Sequence, residues 1–417
     1  MFDFTTPPMT QAMQVVETLQ TAGFAAYFAG GCVRDAFLGR VPKDFDVATD
    51  ATPDTVREVF GRRRTLAFGA SFGVIGVLGE APTPTEVATF RSDGDYSDGR
   101  RPDSVRYGTA EHDALRRDFT INGMFYDPVA RRLIDYVNGE RDLKRRIVRA
   151  IGDPSKRIGE DKLRMLRAVR FASSLGFTLD PLTLEATRQF APQVTIVSGE
   201  RIGAEMRRML GGVGASESLE LLTVCELLDH VWPTVGTRIR TDEEYLVNAK
   251  RLLDHVVPYS FVVAVACVLA RLGGDSKHTL KEISRCWKLS CEEQRAIDEA
   301  TRHFQTILKA DQLLWSAVQP ILASRDAEPI VETAAAWANA FSLPKAGLQH
   351  CQTRFSWPRD MLDPPPLING DTLRRLGFRP SPKFRGVLQA IRDSQLDQHI
   401  ATEAEAIEHA KRLLSDD

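Results

Sequence analysis

Cysteine pairs are missing from this chain. Its six cysteines, Cys32, Cys225, Cys267, Cys286, Cys291 and Cys351, are scattered, none at C-x-x-C spacing and none grouped with histidine. That argues against zinc and against a disulfide framework, and it fits a reducing compartment. Long apolar runs are missing too. The most apolar stretch, SFVVAVACVLARL near 260 to 272, is too short to span a bilayer and reads as a buried helix. The start, MFDFTTPPMTQ, has no basic region leading into an apolar run, so no signal peptide is read there and a cytoplasmic location is expected. Net charge is nearly absent, at −2 over 417 residues, but it is unevenly spread. Residues 100 to 210 carry 22 Lys and Arg against 15 Asp and Glu, a balance of +7 that leaves −9 for the remainder. A basic middle between acidic ends suits a local polyanion site better than bulk coating of nucleic acid. The length allows two to four domains with a substantial core.

What is present is concentrated first between Tyr27 and Thr49, YFAGGCVRDAFLGRVPKDFDVAT. The stretch predicts a short strand, a glycine pair opening a helix, a turn at Gly39 to Pro42, and a second strand carrying Asp44 and Asp46. Side chains alternate across a strand, so both aspartates share one face while Phe45 and Val47 enter the core. Two carboxylates on one face make a site for a hard divalent cation. The backbone N–H groups around Gly30 and Gly31, at a helix start, are placed to hold an anion such as a phosphate. Metal plus phosphate points to phosphoryl chemistry, although a glycine pair before a helix is usually just a turn and a D-x-D pair is more often a solvated strand end. Cys32 could act as a nucleophile there; a small residue packed under the loop is the better reading.

In the order GGxxRD, LGR, DxD, the stretch resembles the nucleotidyltransferase superfamily, in the branch that holds CCA-adding tRNA enzymes and bacterial poly(A) polymerases. The resemblance is strong over residues 25 to 215 and moderate over 365 to 417. It implies an α/β nucleotidyltransferase head, a mixed sheet with helices, over residues 1–150, followed by an all-α neck (151–215), body (216–355) and tRNA-binding tail (356–417). Within the head, an amphipathic helix over 10–23, a strand AAYFAG, a helix TPDTVREVF capped by Thr52 or Asp54, and a strand pair FGVIGVLG and TEVATFR are expected. Glu86 opens the second of these strands, and the family carries a third carboxylate at this place. RSDGDYSDGRRPDSVRY, from Arg91 to Tyr107, reads as a loop that closes over substrate. HDALRRDFTINGMFYD resembles the second family motif, RRDFTINAM, with Gly123 in place of the usual alanine. Arg117 is thereby expected at the triphosphate or nucleotide, with Asp118 and Asn122 organising the site; His112 and Asp113 read as surface.

SKRIGEDKLRMLRAVRFASSLGF predicts one helix with Glu160 and Asp161 in its first turn and Gly176 at its end. Asp161 and Arg164, three residues apart, would share a face. The Watson–Crick edges of cytosine and adenine both offer an exocyclic amine donor beside a ring-nitrogen acceptor; uracil and guanine offer a carbonyl beside a ring N–H. A carboxylate only accepts and a guanidinium only donates, so this pair matches C or A and leaves polar groups unpaired against U or G. An i,i+3 surface ion pair is the plainer explanation, and the match to the family's EDxxRMLRAxRF motif weighs against it. In the family, the equivalents of Arg167 and Arg170 bind nucleotide phosphate or ribose. SGERIGAEMRRML resembles the next motif, with Glu200 and Arg201 in a structural role.

The activity implied is template-independent addition of C, C and A, from CTP and ATP, to the tRNA 3′ end, with A-only addition as the alternative. Asp44 and Asp46, helped by Glu86, would hold two Mg²⁺ ions, while Gly31, Arg34 and Arg117 hold the triphosphate. The acceptor stem and elbow of tRNA are the expected contacts, the tail pattern NGDTLRRLG…PSPKFRGVL being a grip on RNA far from the chemistry. No membrane and no protein partner are expected.

Overall fold

The computed structural model describes residues 5–69, 73–93, 105–379 and 382–415. Packing divides the chain into two compact units, Met1–Glu205 with Glu217–Pro233, and Met206–Ser216 with Thr234–Asp417.

The first unit opens with α1 (Pro7–Thr21). Thr6 caps it by accepting from the Met9 N–H, and prolines fill the first turn, where no N–H partner is needed. Ala12, Val15, Val16 and Leu19 form its buried stripe. Then follow β1 (Ala26–Ala29), α2 (Gly31–Phe37), β2 (Asp46–Thr49), α3 (Pro53–Phe60), β3 (Thr65–Gly69), β4 (Val74–Val77) and β5 (Thr85–Thr89). Next come β6 (Arg91–Asp93), β7 (Val105–Tyr107), α4 (Ala110–Leu115), β8 (Phe125–Asp127), β9 (Arg132–Ile134), α5 (Gly139–Lys144) and β10 (Ile147–Val148). Seven strands make one mixed sheet in the order β3-β4-β5-β2-β1-β8-β9, in which β2 and β5 are parallel and the other pairs antiparallel. Phe28, Val47, Ile75 and Val87 from four of these strands meet α1 in the core.

The helical part of this unit contains α6 (Pro154–Glu160), α7 (Leu163–Leu175), β11 (Thr178–Leu179), α8 (Pro181–Phe190) and the first half of α9 (Gly199–Leu210). The second unit is helical. Its apolar helix Phe261–Ala270 is buried from Val263 to Leu269. The tail packs helices Gly370–Arg375, Lys383–Leu396 and Glu403–Ser415 around Leu373, Val387, Ile391, Ala406 and Ala410. Among the described residues no helix is long and apolar enough to cross a membrane.

Several elements of the structure differ from the sequence expectations. β3 was not expected, because the basic run before it masks a short edge strand. The ends of the Arg91–Tyr107 stretch pair as an antiparallel ribbon, Arg91 opposite Tyr107, and the expected closing loop, 94–104, lies outside the described residues. The connection DYVNGERDLKRRIVRAIGDP, which reads in sequence as strand and turn, holds a helix, α5. The single helix expected over 155–176 is broken: Asp161 is extended (φ −143°, ψ 107°) and its carboxylate accepts from the Leu163 N–H at 3.0 Å. An aspartate that bonds nearby backbone competes with helix propagation, so Asp161 ends α6 and caps the turn into α7.

Candidate active site

β2 is laid beside β5 with Val47 opposite Val87, so Asp46 and Glu86, one step earlier on each parallel strand, are neighbours. Asp44 lies just ahead of β2 rather than in it. The expected alternation holds: Asp44 and Asp46 are exposed, while Phe45 and Val47 are buried. Asp44, Asp46 and Glu86 line one open cleft of about 380 Å³, walled by Pro8 and by Thr83 to Thr85. Gln11 fixes that wall. Its buried amide donates to the carbonyls of Val77 and Thr83 and to Thr85 Oγ1, and accepts from the Ala81 N–H at 2.8 Å.

The Asp46 carboxylate touches solvent yet sits low in the cleft. Desolvation, then the charge of Glu86, and to a lesser degree that of Asp44, push its pKa up to about 6, against the opposing pull of Arg117. The donor set is all oxygen, anionic and short of positive charge, which fits a hard divalent cation and not a thiophilic one. Among the described residues no three Asp, Glu, His or Cys side chains stand close enough, as they are, to share one ion.

At the glycine pair, the Gly30 N–H is already taken by the Met124 carbonyl at 3.1 Å, so the expected anion contact from that amide is not open. Gly30 has φ +73°, and a Cβ there would stand 2.8 Å from Arg117 Nη1. Gly31 is the first residue of α2. Cys32 is buried, its thiol donates to the Ala29 carbonyl, and burial pushes its pKa up to about 12. It is no nucleophile. Cys32→Ala is expected to keep turnover within about twofold while lowering stability by about 1 kcal/mol, checked by thermal melts beside initial rates.

The arginines form one connected set. Arg34 donates to Asp35 and to Asn122 Oδ1 at 2.7 Å, Asn122 donates to Asp118 at 3.1 Å, and Asp118 receives Arg167 at 2.7 Å. Burial alone would raise the Asp118 pKa; the Arg167 cation and the hydrogen bonds from Asn122, Arg167 and the Phe119 amide outweigh it and hold the carboxylate ionised. Arg117 is gripped by Asp113 through Nε and Nη2 and reaches the Asn122 carbonyl. Asp113, expected at the surface, is therefore a buried hub that also receives Arg116. Its signal was legible as an acid three and four residues before two arginines at and just past the end of its helix. Phe171 is a pedestal for three guanidiniums, those of Arg34, Arg167 and Arg170, at 5.1, 5.3 and 4.0 Å from its ring centre.

The side chains of Asp161 and Arg164 do not bond each other; the Arg164 N–H donates to the Asp161 carbonyl at 3.1 Å. Asp161 Oδ2 receives Arg201 at 2.7 Å. Arg164 is buried and donates to Glu160 and to the carbonyls of Arg157 and Arg116. Through Arg116 it abuts the segment that carries Arg117, which acts on Asp46. Arg170 turns to Glu205, a buried acid that the sequence did not single out.

Comparison with known proteins agrees with this architecture. Residues 26–149 match the model of the poly A polymerase head domain, and residues 176–236 that of a probable RNA and SrmB-binding site of polymerase A. The CCA-adding enzyme of Geobacillus stearothermophilus is 43% identical over 217 residues, 52% of this chain and 53% of that one; the chain thus spans about half the length of several curated relatives it matches. That of Geobacillus sp. strain WCH70 is 35% identical over 306 residues, 72% of this chain and 71% of its own. The crystal structure of the Bacillus stearothermophilus CCA-adding enzyme in complex with CTP superposes with a TM-score of 0.80 at 28% identity, over 99% of both chains. By sequence and by fold, this chain belongs to the family of CCA-adding enzymes and poly(A) polymerases.

Proposed function

We propose that the chain adds C, C and A, taken from CTP and ATP, to the 3′ end of tRNA without a template, releasing pyrophosphate. The observation that carries this reading is the continuity of the carboxylate cleft with the arginine set of α7 through Arg117, Asn122 and Asp118. The relative crystallised with CTP supports the nucleotide, and the names of the curated relatives support the product.

In this reading Asp44 and Asp46, with Glu86 beside them, hold the divalent cation, assigned as Mg²⁺. When bound, it neutralises charge on the attacking and leaving oxygens. Gly31, Arg34 and Arg117 receive the triphosphate, and Arg167 with Arg170 the ribose or phosphate. Arg164 and Asp161 face the base edge, Arg164 donating to the ring nitrogen and Asp161 accepting from the amine. Phosphoryl transfer needs little beyond this positioning. Head, neck, body and tail are the working division, with the body and tail holding the acceptor stem and elbow, and the enzyme is placed in the cytoplasm.

The family-model names favour a second reading, A-only addition. Purified protein incubated with tRNA ending before CCA, and with CTP, ATP or both, separates the two on one gel. Growth by two nucleotides with CTP and by three with both is expected; growth with ATP alone into a long tail overturns it.

A further inference from the structure

We infer that Arg62, Arg63 and Arg64 form an RNA-backbone contact at the rim of the cleft, a reading that rests on the function proposed above. The three side chains follow one another in an exposed turn ahead of β3, and none has a hydrogen bond or ion pair among the described residues. A run of exposed arginines is most often a solvated face. Position sets this one apart.

Strand register locates it. Glu86 of β5 lies opposite Gly76 of β4, and Gly76 lies opposite Leu66 of β3. With Asp46 beside Glu86, one row crosses the sheet from the cleft to its edge. Strands stand about 4.8 Å apart, so Leu66 is about 10 Å from Glu86 along that row. Thr65 pairs with Val77, and the Arg64 carbonyl accepts from the Leu78 N–H at 2.9 Å. The triplet therefore stands at the same end of the sheet as the carboxylates, ahead of β3, the edge strand of the sheet among the described residues.

Charge explains why a cation is needed there. The cleft is lined by three carboxylates and has to admit the end of a polyanion. The arginines of the neck do not supply that field freely, because Asp118, Glu160 and Glu205 already pair with Arg167, Arg164 and Arg170. The triplet is positive and, among the described residues, its side chains are unengaged. Its backbone is held independently of the guanidiniums, by the Arg64 N–H to the Gly61 carbonyl and by Thr65 Oγ1 to the carbonyls of Gly61 and Arg62. The side chains are thus spare to meet phosphates as the RNA strand leaves the cleft across β4 and β3.

The test is the full chain with R62Q/R63Q/R64Q, and a second variant with R62K/R63K/R64K. Binding of tRNA lacking CCA is followed by fluorescence anisotropy over a salt series, and KM is measured for tRNA and for CTP separately. Three lost phosphate contacts predict a plot of log affinity against log salt shallower by about 2, at about −0.7 per contact for single strands. KM for tRNA is expected to rise about tenfold in the glutamine variant and to return largely to the wild-type value in the lysine variant, since a phosphate accepts either point charge. An unchanged slope and KM for tRNA overturns the inference, and so does a rise confined to KM for CTP, which would assign the triplet to the nucleotide. A wild-type chain that extends no tRNA at all refutes the proposed function instead, so the two failures are distinguishable.

Discussion

Asp46→Asn is expected to abolish nucleotide incorporation, by at least about a thousandfold or about 4 kcal/mol of transition-state stabilisation, and to raise the melting temperature of the metal-free protein. Both effects follow from one crowded carboxylate. The Asp46 pKa stands at about 6, above the ordinary 3.8, because desolvation and the charges of Glu86 and Asp44 disfavour the anion. Between about pH 4 and pH 6 the folded chain retains a proton that the unfolded chain has released. Stability therefore falls as pH rises through that window, and the deficit persists above it. Asparagine removes the penalty, so the gap in melting temperature between variant and wild type should open from pH 4 to pH 6 and stay open at pH 7.5. A divalent cation should close the gap by stabilising only the wild type. Retained turnover in Asp46→Asn would remove the carboxylate from the chemistry. A variant that melts lower than wild type at pH 7.5, or that gains as much from the cation, would remove the electrostatic account.

Arg164→Ala is expected to erode discrimination for CTP over UTP by tenfold to a hundredfold, on the order of 1–3 kcal/mol for a polar group left unpaired against the wrong base. The fold should survive, because Arg157 still donates to Glu160 at 2.9 Å when Arg164 is gone. The quantity to measure is the ratio of kcat/KM for CTP and UTP in one preparation, from which any loss of folded protein cancels. Arg164→Lys keeps the charge without the planar fork and should recover turnover more fully than selectivity. An unchanged ratio in the alanine variant would mean that α7 does not read the base.

The sheet core was legible because period-2 alternation at Phe45 and Val47 and the β-branched run before Phe90 admit few other folds. The two aspartates were legible for the same reason. What escaped were features set by side-chain partners that local propensity does not weigh. Asp161 looked like a first-turn helix residue, since neither Arg201, forty residues on, nor the rival bond to the Leu163 amide can be weighed from helix propensity. Asp113 was read as surface although Arg116 and Arg117, three and four residues on, were there to pair with it. Gln11 had no signal at all; a glutamine in an amphipathic helix does not announce that it will bind four groups between Val77 and Thr85.

Under the proposed function, in which one pocket takes two letters, the extended residue between α6 and α7 has a consequence for the base reader. A pyrimidine and a purine present the same donor and acceptor at different reach from the sugar, so a reader mounted on a continuous rod would be cut to one ring size. Asp161 sits instead at a break between two helices, its carboxylate held by the Leu163 N–H and by Arg201, so under the proposed function the reader is not tied to the axis of either helix.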